Sequence, residues 1–417
     1  MNRRETKVGL LACFAFLLAF PGAISGGLLI APLLAFCALL MTPLQPISYR
    51  RIEWAWPLIP GMLFLLWTAT SFLWSPHDNP EQIPKTVLGI PLYILFAWRV
   101  GALEGPWRER ALGCLIVFVF AAATMFVFES LTGGHGTISF KIGFENADIT
   151  DMRGLLHRVS RSLGHGVAVL VLLAGPAAIL LWLRGAPRLA FALLALTFIA
   201  AMSFGLAVNA IAFVASALVV AFAYFKPRLA LPTIFIALAG FVVIMPVFMP
   251  SLIAIIPESM LGQLPQSWVW RLEIWEFASD LIVENPWFGY GLDASRELGE
   301  GIQVEGYNWD VLPLHPHNAA LHIWLETGLV GVILLAASLL AVGDVLGRQT
   351  TMSQIEVLAL AWVLTSYACL LVFSYGVWQE WHQASLALAI AAVRMLRPEA
   401  EAANMLDTDK SDLEKVV

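Results

Sequence analysis

The 417-residue sequence is poor in charge: Asp, Glu, Lys and Arg make up 13% of it, against about a quarter in an average soluble protein. Apolar residues make up 59%, and many apolar runs approach the ~20 residues that a membrane-spanning helix needs. The shortage of charge excludes an ordinary soluble domain and predicts an all-α polytopic membrane protein. The net charge of −6 says little about partners, because charges in a membrane protein sort by side. We expect a lipid bilayer around the chain and no nucleic acid.

Signals for metals and cofactors are also missing. The four cysteines, at positions 13, 37, 114 and 369, lie scattered within apolar runs, which is typical of buried thiols. No Cys/His cluster has the spacing of zinc ligands, and no glycine-rich nucleotide-binding motif occurs. No Asp-x-Asp pair occurs within residues 1–397, so a metal-held nucleotide sugar is not indicated. We therefore expect neither a metal nor a cofactor.

The apolar runs predict about twelve membrane-spanning helices. They cover approximately 8–23, 26–42, 55–74, 86–100, 111–130, 163–183, 188–205, 207–225, 229–249, 318–342, 354–375 and 378–396. With the N-terminus in the cytoplasm, 17 of the 24 Lys and Arg residues fall on the cytoplasmic side, as the positive-inside rule requires. The N-terminus resembles a signal peptide, but apolar sequence resumes after Ser25, so we expect an uncleaved first span.

This reading predicts one integral membrane domain over residues 1–397, with both termini in the cytoplasm. Residues 398–417 are polar and acidic, and we expect a disordered cytoplasmic tail. Two loops on the external side, at about 131–162 and 250–317, are too long for simple turns. Long loops in compact proteins are usually functional or disordered. The second loop contains five tryptophans, at 268, 270, 275, 287 and 309, so we expect it to fold against an apolar surface.

The second loop contains a predicted amphipathic helix from Trp268 to Glu284, with Ser267 as its N-cap and Asn285-Pro286 ending it. Helical spacing places Arg271 on the tryptophan face, away from the acidic residues. One interpretation is an interfacial arginine whose head reaches water. The other is an anion clamp, because a guanidinium presents a planar fork of donors that matches phosphate oxygens.

The loop ends in His315-Pro-His317-Asn318, where Pro316 suits the first turn of a new helix. Helical spacing then puts His317, Leu321, Trp324, Gly328 and Gly331 on one stripe, where the glycines would let another helix approach. One interpretation of His317 is a catalytic base, because a neutral histidine at a helix N-terminus can accept a proton. The alternative interpretation is a polar residue that marks the membrane boundary.

A second polar stripe and three isolated polar residues fall inside predicted spans. The stripe is Asn318, His322 and Glu326, and the isolated residues are Asn209, Glu380 and His382. Such groups are costly in a membrane unless they face a cavity or a partner. The sequence does not decide between these two settings.

These motifs resemble a known family. His317-Asn318, nine further residues and Gly328-Leu-Val-Gly331 match the His-Asn-x9-Gly-x-x-Gly signature of the O-antigen ligase and polymerase superfamily. The segments 271–275 and 284–291 are similar to the large periplasmic loop of that family, and 73–85 is similar to the exit of its third span. Twelve spans with one large late periplasmic loop fit the same, GT-C-like, layout.

The resemblance implies a glycosyltransferase of the bacterial inner membrane with a periplasmic active site. Such enzymes take a polysaccharide from undecaprenyl diphosphate, without a metal and with inversion at the anomeric carbon. Ligases pass it to the lipid A–core of lipopolysaccharide, whereas polymerases pass it to another lipid-linked repeat. The resemblance makes His317 the catalytic base and Arg271 a ligand of the diphosphate, and we add His315 and Asn318 as substrate-binding residues.

The sequence departs from the family at one point. Relatives often carry Ser-Arg-Gly at the exit of a middle span, supplying a second diphosphate arginine, whereas this chain reads Ser203-Phe204-Gly205. Arg161 is the proposed substitute, and Arg158 or His165 could serve instead. Outside the enzyme class, a transporter of a lipid-linked or anionic substrate would explain the intramembrane polar residues. A structural partner in an envelope assembly would explain the tryptophan-rich loop.

Overall fold

The computed structural model describes residues 3–42, 56–145, 150–302, 310–349 and 352–397. The expectations for Trp309 and the tail 398–417 lie outside these residues. Within the described ranges the chain forms sixteen α-helices and two short 3-10 turns, at Phe72–Trp74 and Ala294–Arg296. The helices are α1 (Arg3–Ile24), α2 (Ile30–Leu40), α3 (Leu58–Ser71), α4 (Gln82–Val87), α5 (Gly89–Val100), α6 (Gly105–Leu131), α7 (His135–Phe144), α8 (Met152–Leu183), α9 (Pro187–Ala201), α10 (Ala207–Phe225), α11 (Pro227–Ala254), α12 (Glu258–Leu261), α13 (Gln266–Glu284), α14 (Ala319–Arg348), α15 (Gln354–Phe373) and α16 (Glu380–Arg394).

Every predicted span falls on a helix. In the described part of the chain, eight helices are long and apolar enough to cross a membrane: α1, α4 joined to α5, α6, α8, α10, α11, α14 and α15. The apolar helices α2, α3 and α9 are shorter, as is the 15-residue α16. The prediction of an all-α polytopic membrane protein is therefore confirmed.

Helix α8 is the centre of the bundle. It packs against α1, α6, α9, α10, α15 and α16, and almost every side chain from Leu163 to Leu181 is buried. Its neighbour α15 places the Trp362 indole against it, where Nε1 donates to the carbonyl of Val171 at 2.8 Å. An apolar helix that is buried on all sides belongs to the interior of a bundle, which explains why its sequence shows no polar face.

Helix α8 also corrects one predicted boundary. The sequence suggested a loop over 131–162 and a span from 163, but α7 lies within that stretch and α8 begins at Met152. The carboxylate of Asp151 caps α8 by accepting from the amide of Gly154 at 2.9 Å. Arg158 and Arg161 consequently lie on the first turns of a long helix.

Helix α13 forms where the amphipathic pattern predicted it, and it packs against α11 and α14. Its start differs in detail, because Pro265 occupies the N-cap position and Ser267 lies inside the first turn. Leu272, Trp275 and Ile282 are buried, as expected for the apolar face.

Helix α14 differs from the predicted stripe in two ways. Asn318 is its N-cap, with Oδ1 accepting from the amides of Ala320 and Leu321, so Pro316 and His317 lie before the helix. The helix is also broken at Gly328, whose φ of 61° and ψ of −168° are not helical. A Cβ at Gly328 would lie 2.5 Å from the Trp287 backbone, so a loop approaches here and not a helix.

The break in α14 leaves backbone groups that the segment 286–291 satisfies. The carbonyls of Leu325 and Glu326 accept from the amides of Tyr290 and Gly291, and the amides of Leu329 and Val330 donate to the carbonyls of Pro286 and Trp287. Buried backbone groups need such partners. The glycine-rich turn formed by residues 289–291 therefore fastens the long loop to the interior of α14.

Candidate active site

Arg271 is held on α13 by two carbonyl oxygens and one aromatic ring. Its Nε donates to the carbonyl of Phe373 at 3.0 Å and its Nη1 donates to that of Ser267 at 2.6 Å. Its guanidinium lies 5.4 Å from the ring centre of Trp268. Burial lowers the pKa of Arg271 from its usual value. Nη2 has no hydrogen-bond partner among the described residues, so it can donate to a ligand.

His317 lies beside Arg271, because both side chains bind the end of α15. Nδ1 of His317 lies 2.6 Å from the carbonyl oxygen of Ser374, the residue after Phe373. A carbonyl only accepts, so Nδ1 carries the proton and Nε2 keeps its lone pair in the neutral ring. Burial lowers the pKa of His317 to about 4, and the charges of Arg271 and Arg161 add to the effect. The neutral ring is therefore the resting form near pH 7.

Backbone groups fix the orientation of both members of the histidine pair, His315 and His317. The amide of His317 donates to Nδ1 of His315 at 3.1 Å, which leaves the His315 proton on Nε2. The two ring centres are 4.4 Å apart. His317 adopts a left-handed φ of 54°, which is strained for a residue with a Cβ. Such strain persists only where the surroundings impose it, and it concentrates at functional sites.

Glu326 joins the segments that pack behind His315 and His317. It has no exposed surface, and its carboxylate accepts five hydrogen bonds from three segments of the chain. The donors are the amides of Asp293 and Ser295, the hydroxyl of Ser295, Nε2 of His322 and Nε1 of Trp378, at 2.6 to 3.2 Å. A buried carboxylate needs this degree of pairing. It joins the long loop, α14 and the α15–α16 connection.

Glu326 is connected to His317 by contacts through His322 and His315. Nδ1 of His322 accepts from the amide of Val377, so Nε2 carries the ring proton and donates a hydrogen bond to Glu326. The His322 ring stacks on that of His315 at 5.8 Å, with an angle of 20° between the planes. The Trp275 indole supports the same turn from α13 by donating to the Pro316 carbonyl at 2.9 Å. The turn formed by residues 315–317 is therefore fixed from two sides.

Arg158 and Arg161 are both exposed on α8, but they differ in the groups on which their charges act. The charge of Arg161 contributes to the lowered pKa of both His315 and His317, and the structure shows no hydrogen bond to it among the described residues. Arg158 is exposed and pairs with Asp151 at 3.3 Å. The hydroxyl of Ser160, next to Arg161, donates to the carbonyl of Phe204 at 2.8 Å. Arg161 therefore follows a residue that is bound to the Ser203-Phe204-Gly205 stretch.

The structure brings together Arg271, His317, His315 and Arg161, and it gives Asn318 a structural role as a cap. Sequence reasoning missed Asp293, Ser295 and Trp378 as partners of Glu326. Asp293 carried one usable signal, since it follows the glycine-rich turn that anchors the loop. Its φ of 62° makes it, with His317 and Phe204, one of three non-glycine residues in the left-handed region within the described ranges.

The polar residues inside the spans pair or stack within the bundle. The side-chain amide of Asn209 donates to the carbonyl of Gly164 at 2.9 Å, and Glu380 pairs with Lys85 at 3.5 Å. The buried His382 ring stacks on Tyr367 at 4.4 Å. Over the described ranges no group of three or more His, Cys, Asp or Glu side chains has an arrangement that would hold a metal ion.

The fold and site define a polytopic, all-α membrane protein with a cationic, histidine-bearing site at one end of its bundle. The family model described as O-antigen ligase matches residues 189–336, which include Arg271 and His317. A Rickettsia conorii protein with the curated name "Putative polysaccharide ligase" is 28% identical over 355 residues, covering 80% of this chain and 78% of that protein.

Two further relatives carry the same curated name. The Rickettsia typhi protein is 24% identical over 333 residues, covering 77% of this chain and 76% of its own length. The Rickettsia felis protein is 32% identical over 136 residues, covering 30% of this chain and 31% of its own length. The matches confirm the resemblance seen in the motifs and support the O-antigen ligase family for this chain.

Proposed function

We propose that this protein is a ligase-type glycosyltransferase that moves a polysaccharide from undecaprenyl diphosphate to the lipid A–core of lipopolysaccharide. The family match supports polysaccharide transfer in general. The lipid donor, the acceptor, the absence of a metal and the inverting course belong to the proposal.

The observation that carries it is the placement of Arg271 and His317 on consecutive carbonyls, those of Phe373 and Ser374. This puts a cation with an unused donor nitrogen beside a neutral imidazole with an unused lone pair. Transfer from a lipid diphosphate needs both groups: a base for the incoming hydroxyl and a positive charge for the departing diphosphate.

In the proposed reaction the acceptor hydroxyl attacks the anomeric carbon while Nε2 of His317 takes its proton. The new glycosidic bond forms as the bond from carbon to the diphosphate oxygen breaks, and the electron pair leaves with the diphosphate. Nη2 of Arg271 binds a diphosphate oxygen, and the charge of Arg161 neutralises the developing negative charge. Attack from the side opposite the leaving group inverts the anomeric centre.

We place the site on the periplasmic face of the inner membrane, with both termini of the single membrane domain in the cytoplasm. The distribution of Lys and Arg supports this orientation. Arg271, His317 and Arg161 lie on segments that the same rule assigns to the external side. A lipid-linked donor carried across the membrane is available only there.

The test is a surface-glycan gel from a strain that lacks this gene, complemented with wild type, His317→Ala or Arg271→Ala. We expect core-only lipopolysaccharide, with long glycan retained on its lipid carrier, in the deletion strain and in both variants. His157→Ala and Arg153→Ala are matched controls, because both side chains are exposed on α8, and they should restore the wild-type pattern.

Other gel patterns would point elsewhere. Core capped by a single repeat would indicate the alternative, an O-antigen polymerase with the same donor chemistry. Unchanged lipopolysaccharide with a lost exopolysaccharide would move the activity to another polymer. Full complementation by His317→Ala would contradict the catalytic role of His317 and favour a transporter.

A further inference from the structure

A polar cavity of about 210 Å³ lies on the His315 side of the histidine pair. Its walls come from α4 and the connection before it, the long loop, His322 of α14, the α15–α16 connection and the start of α16. At the ~30 Å³ that a water molecule has in the liquid, it holds about seven waters, close to the size of one sugar ring. None of the proposed catalytic steps uses this space.

The lining suits a neutral, hydroxyl-rich ligand. It offers the side-chain amides of Asn79, Gln82 and Gln379 and the indole of Trp378. The amide oxygen of Gln379 is buried and accepts no hydrogen bond among the described residues. Amides both donate and accept, as sugar hydroxyls do, and an aromatic surface packs against the apolar face of a sugar ring.

The cavity does not suit the diphosphate. Each of its two cations is already paired with a carboxylate in the wall. Nζ of Lys85 lies 3.5 Å from Glu380, and Nε of Arg296 donates to Asp293 at 2.9 Å. Arg271, by contrast, is hydrogen-bonded only to carbonyl groups among the described residues, so it keeps an uncompensated charge. Anion binding therefore falls on the Arg271 side.

The His315 ring separates the cavity from His317. His315 lines the cavity, its centre lies 4.4 Å from that of His317, and its Nδ1 accepts from the His317 amide. A sugar in the cavity would thus contact His315, one ring away from the base. Along the segment after α15, the carbonyl of Phe373 binds Arg271, that of Ser374 binds His317, and Gly376 lies in the cavity wall, so His317 comes between the proposed diphosphate site and the cavity. An inverting transfer needs this arrangement, because acceptor and leaving group stand on opposite sides of the anomeric carbon.

We propose that this cavity is the acceptor subsite, which binds the terminal sugar of the glycan acceptor and brings its hydroxyl to the pair formed by His315 and His317. The inference rests on the proposed transferase function. The hydrogen bonds that Glu326 receives from Trp378 and His322 hold two of the walls in place.

The test uses purified full-length protein, an undecaprenyl-diphosphate-linked polysaccharide as donor and rough lipopolysaccharide as acceptor. Each substrate is varied while the other is saturating. Asn79→Ala and Gln379→Ala should each raise the KM for the acceptor by about three- to tenfold, the effect of one lost neutral hydrogen bond, with the donor KM unchanged. Gln263→Ala is the matched amide control, because Gln263 is not among the residues that line the cavity and its side chain donates to the carbonyl of Ser259.

A rise in the donor KM alone, or unchanged KM values for both substrates, would overturn the acceptor subsite. Transfer by the wild type would show in either case that the proposed function stands. No transfer by the wild type to any acceptor would contradict the function itself.

A second measurement does not depend on turnover. A photoreactive benzophenone residue in place of Asn79 should crosslink rough lipopolysaccharide on illumination, and the same residue in place of Gln263 should not. Equal crosslinking at both positions, or none at Asn79, would contradict the subsite. Identical elution from size-exclusion chromatography checks that each variant is folded.

Discussion

Glu326→Gln is the most informative single substitution for the architecture of the site. Oε1 of Glu326 accepts from the amide and hydroxyl of Ser295 and from His322, and Oε2 accepts from the amide of Asp293 and from Trp378. A glutamine matches the shape of glutamate, but one oxygen becomes an NH2 group. Whichever oxygen is replaced, the new donor faces at least two existing donors.

The magnitude follows from that count. A buried group that loses its partner costs about 1–3 kcal/mol, so two stranded donors should lower the free energy of unfolding by about 2–6 kcal/mol. The site offers no relief through water, because Glu326 has no exposed surface and Ser295 and Trp378 are buried as well. The loss should appear as a clear drop in the midpoint of thermal unfolding in detergent, followed by size-exclusion chromatography after heating.

Glu129→Gln is the matched control. Glu129 is another buried carboxylate, and it accepts a hydrogen bond from the amide of Thr137. The side-chain oxygen of a glutamine at this position can accept the same hydrogen bond. We expect Glu129→Gln to melt close to wild type and Glu326→Gln to melt well below both. Equal melting of the two variants would refute the reasoning, because it would mean that the five hydrogen bonds of Glu326 do not stabilise the fold.

Three further predictions concern activity. Arg271→Lys should lower kcat/KM at least about tenfold, because an ammonium cannot hold the Phe373 carbonyl and keep a second donor for phosphate; Arg153→Lys should match wild type. Arg161→Ala should raise the donor KM while Arg158→Ala should not, and a silent Arg161→Ala would remove its proposed role. Since burial lowers the pKa of His317 to about 4, the base stays neutral at higher pH. The kcat/KM profile should therefore stay flat down to about pH 5 and fall as pH decreases through about 4; an acid limb centred near 6.5 would contradict this.

The helices were predictable because long apolar runs leave the backbone few other solutions in a membrane. Hydropathy alone placed a helix at each of the predicted spans, and the amphipathic pattern found α13. The start of α8 was missed because residues 152–162 are polar, so the apolar run begins about three turns after the helix does.

The site was predictable only in its separate parts. Local chemistry singled out Arg271 and His317, but their proximity depends on two carbonyls at the end of α15, which lie 102 residues beyond Arg271 and 57 residues beyond His317. The partners of Glu326 likewise come from three segments, so no local pattern reveals them. The break at Gly328 was missed because helical spacing treats a glycine as one more helical residue, whereas the approach of the Trp287 backbone decides its conformation.

The most direct test of the central claim is the rate of polysaccharide transfer by purified His317→Ala, with undecaprenyl-diphosphate-linked polysaccharide and rough lipopolysaccharide as substrates. A general base contributes about 10²–10⁴-fold, so the variant should lose at least a hundredfold in kcat while it melts like the wild type and still binds the donor. Transfer at a near-normal rate by a folded His317→Ala protein would contradict the account.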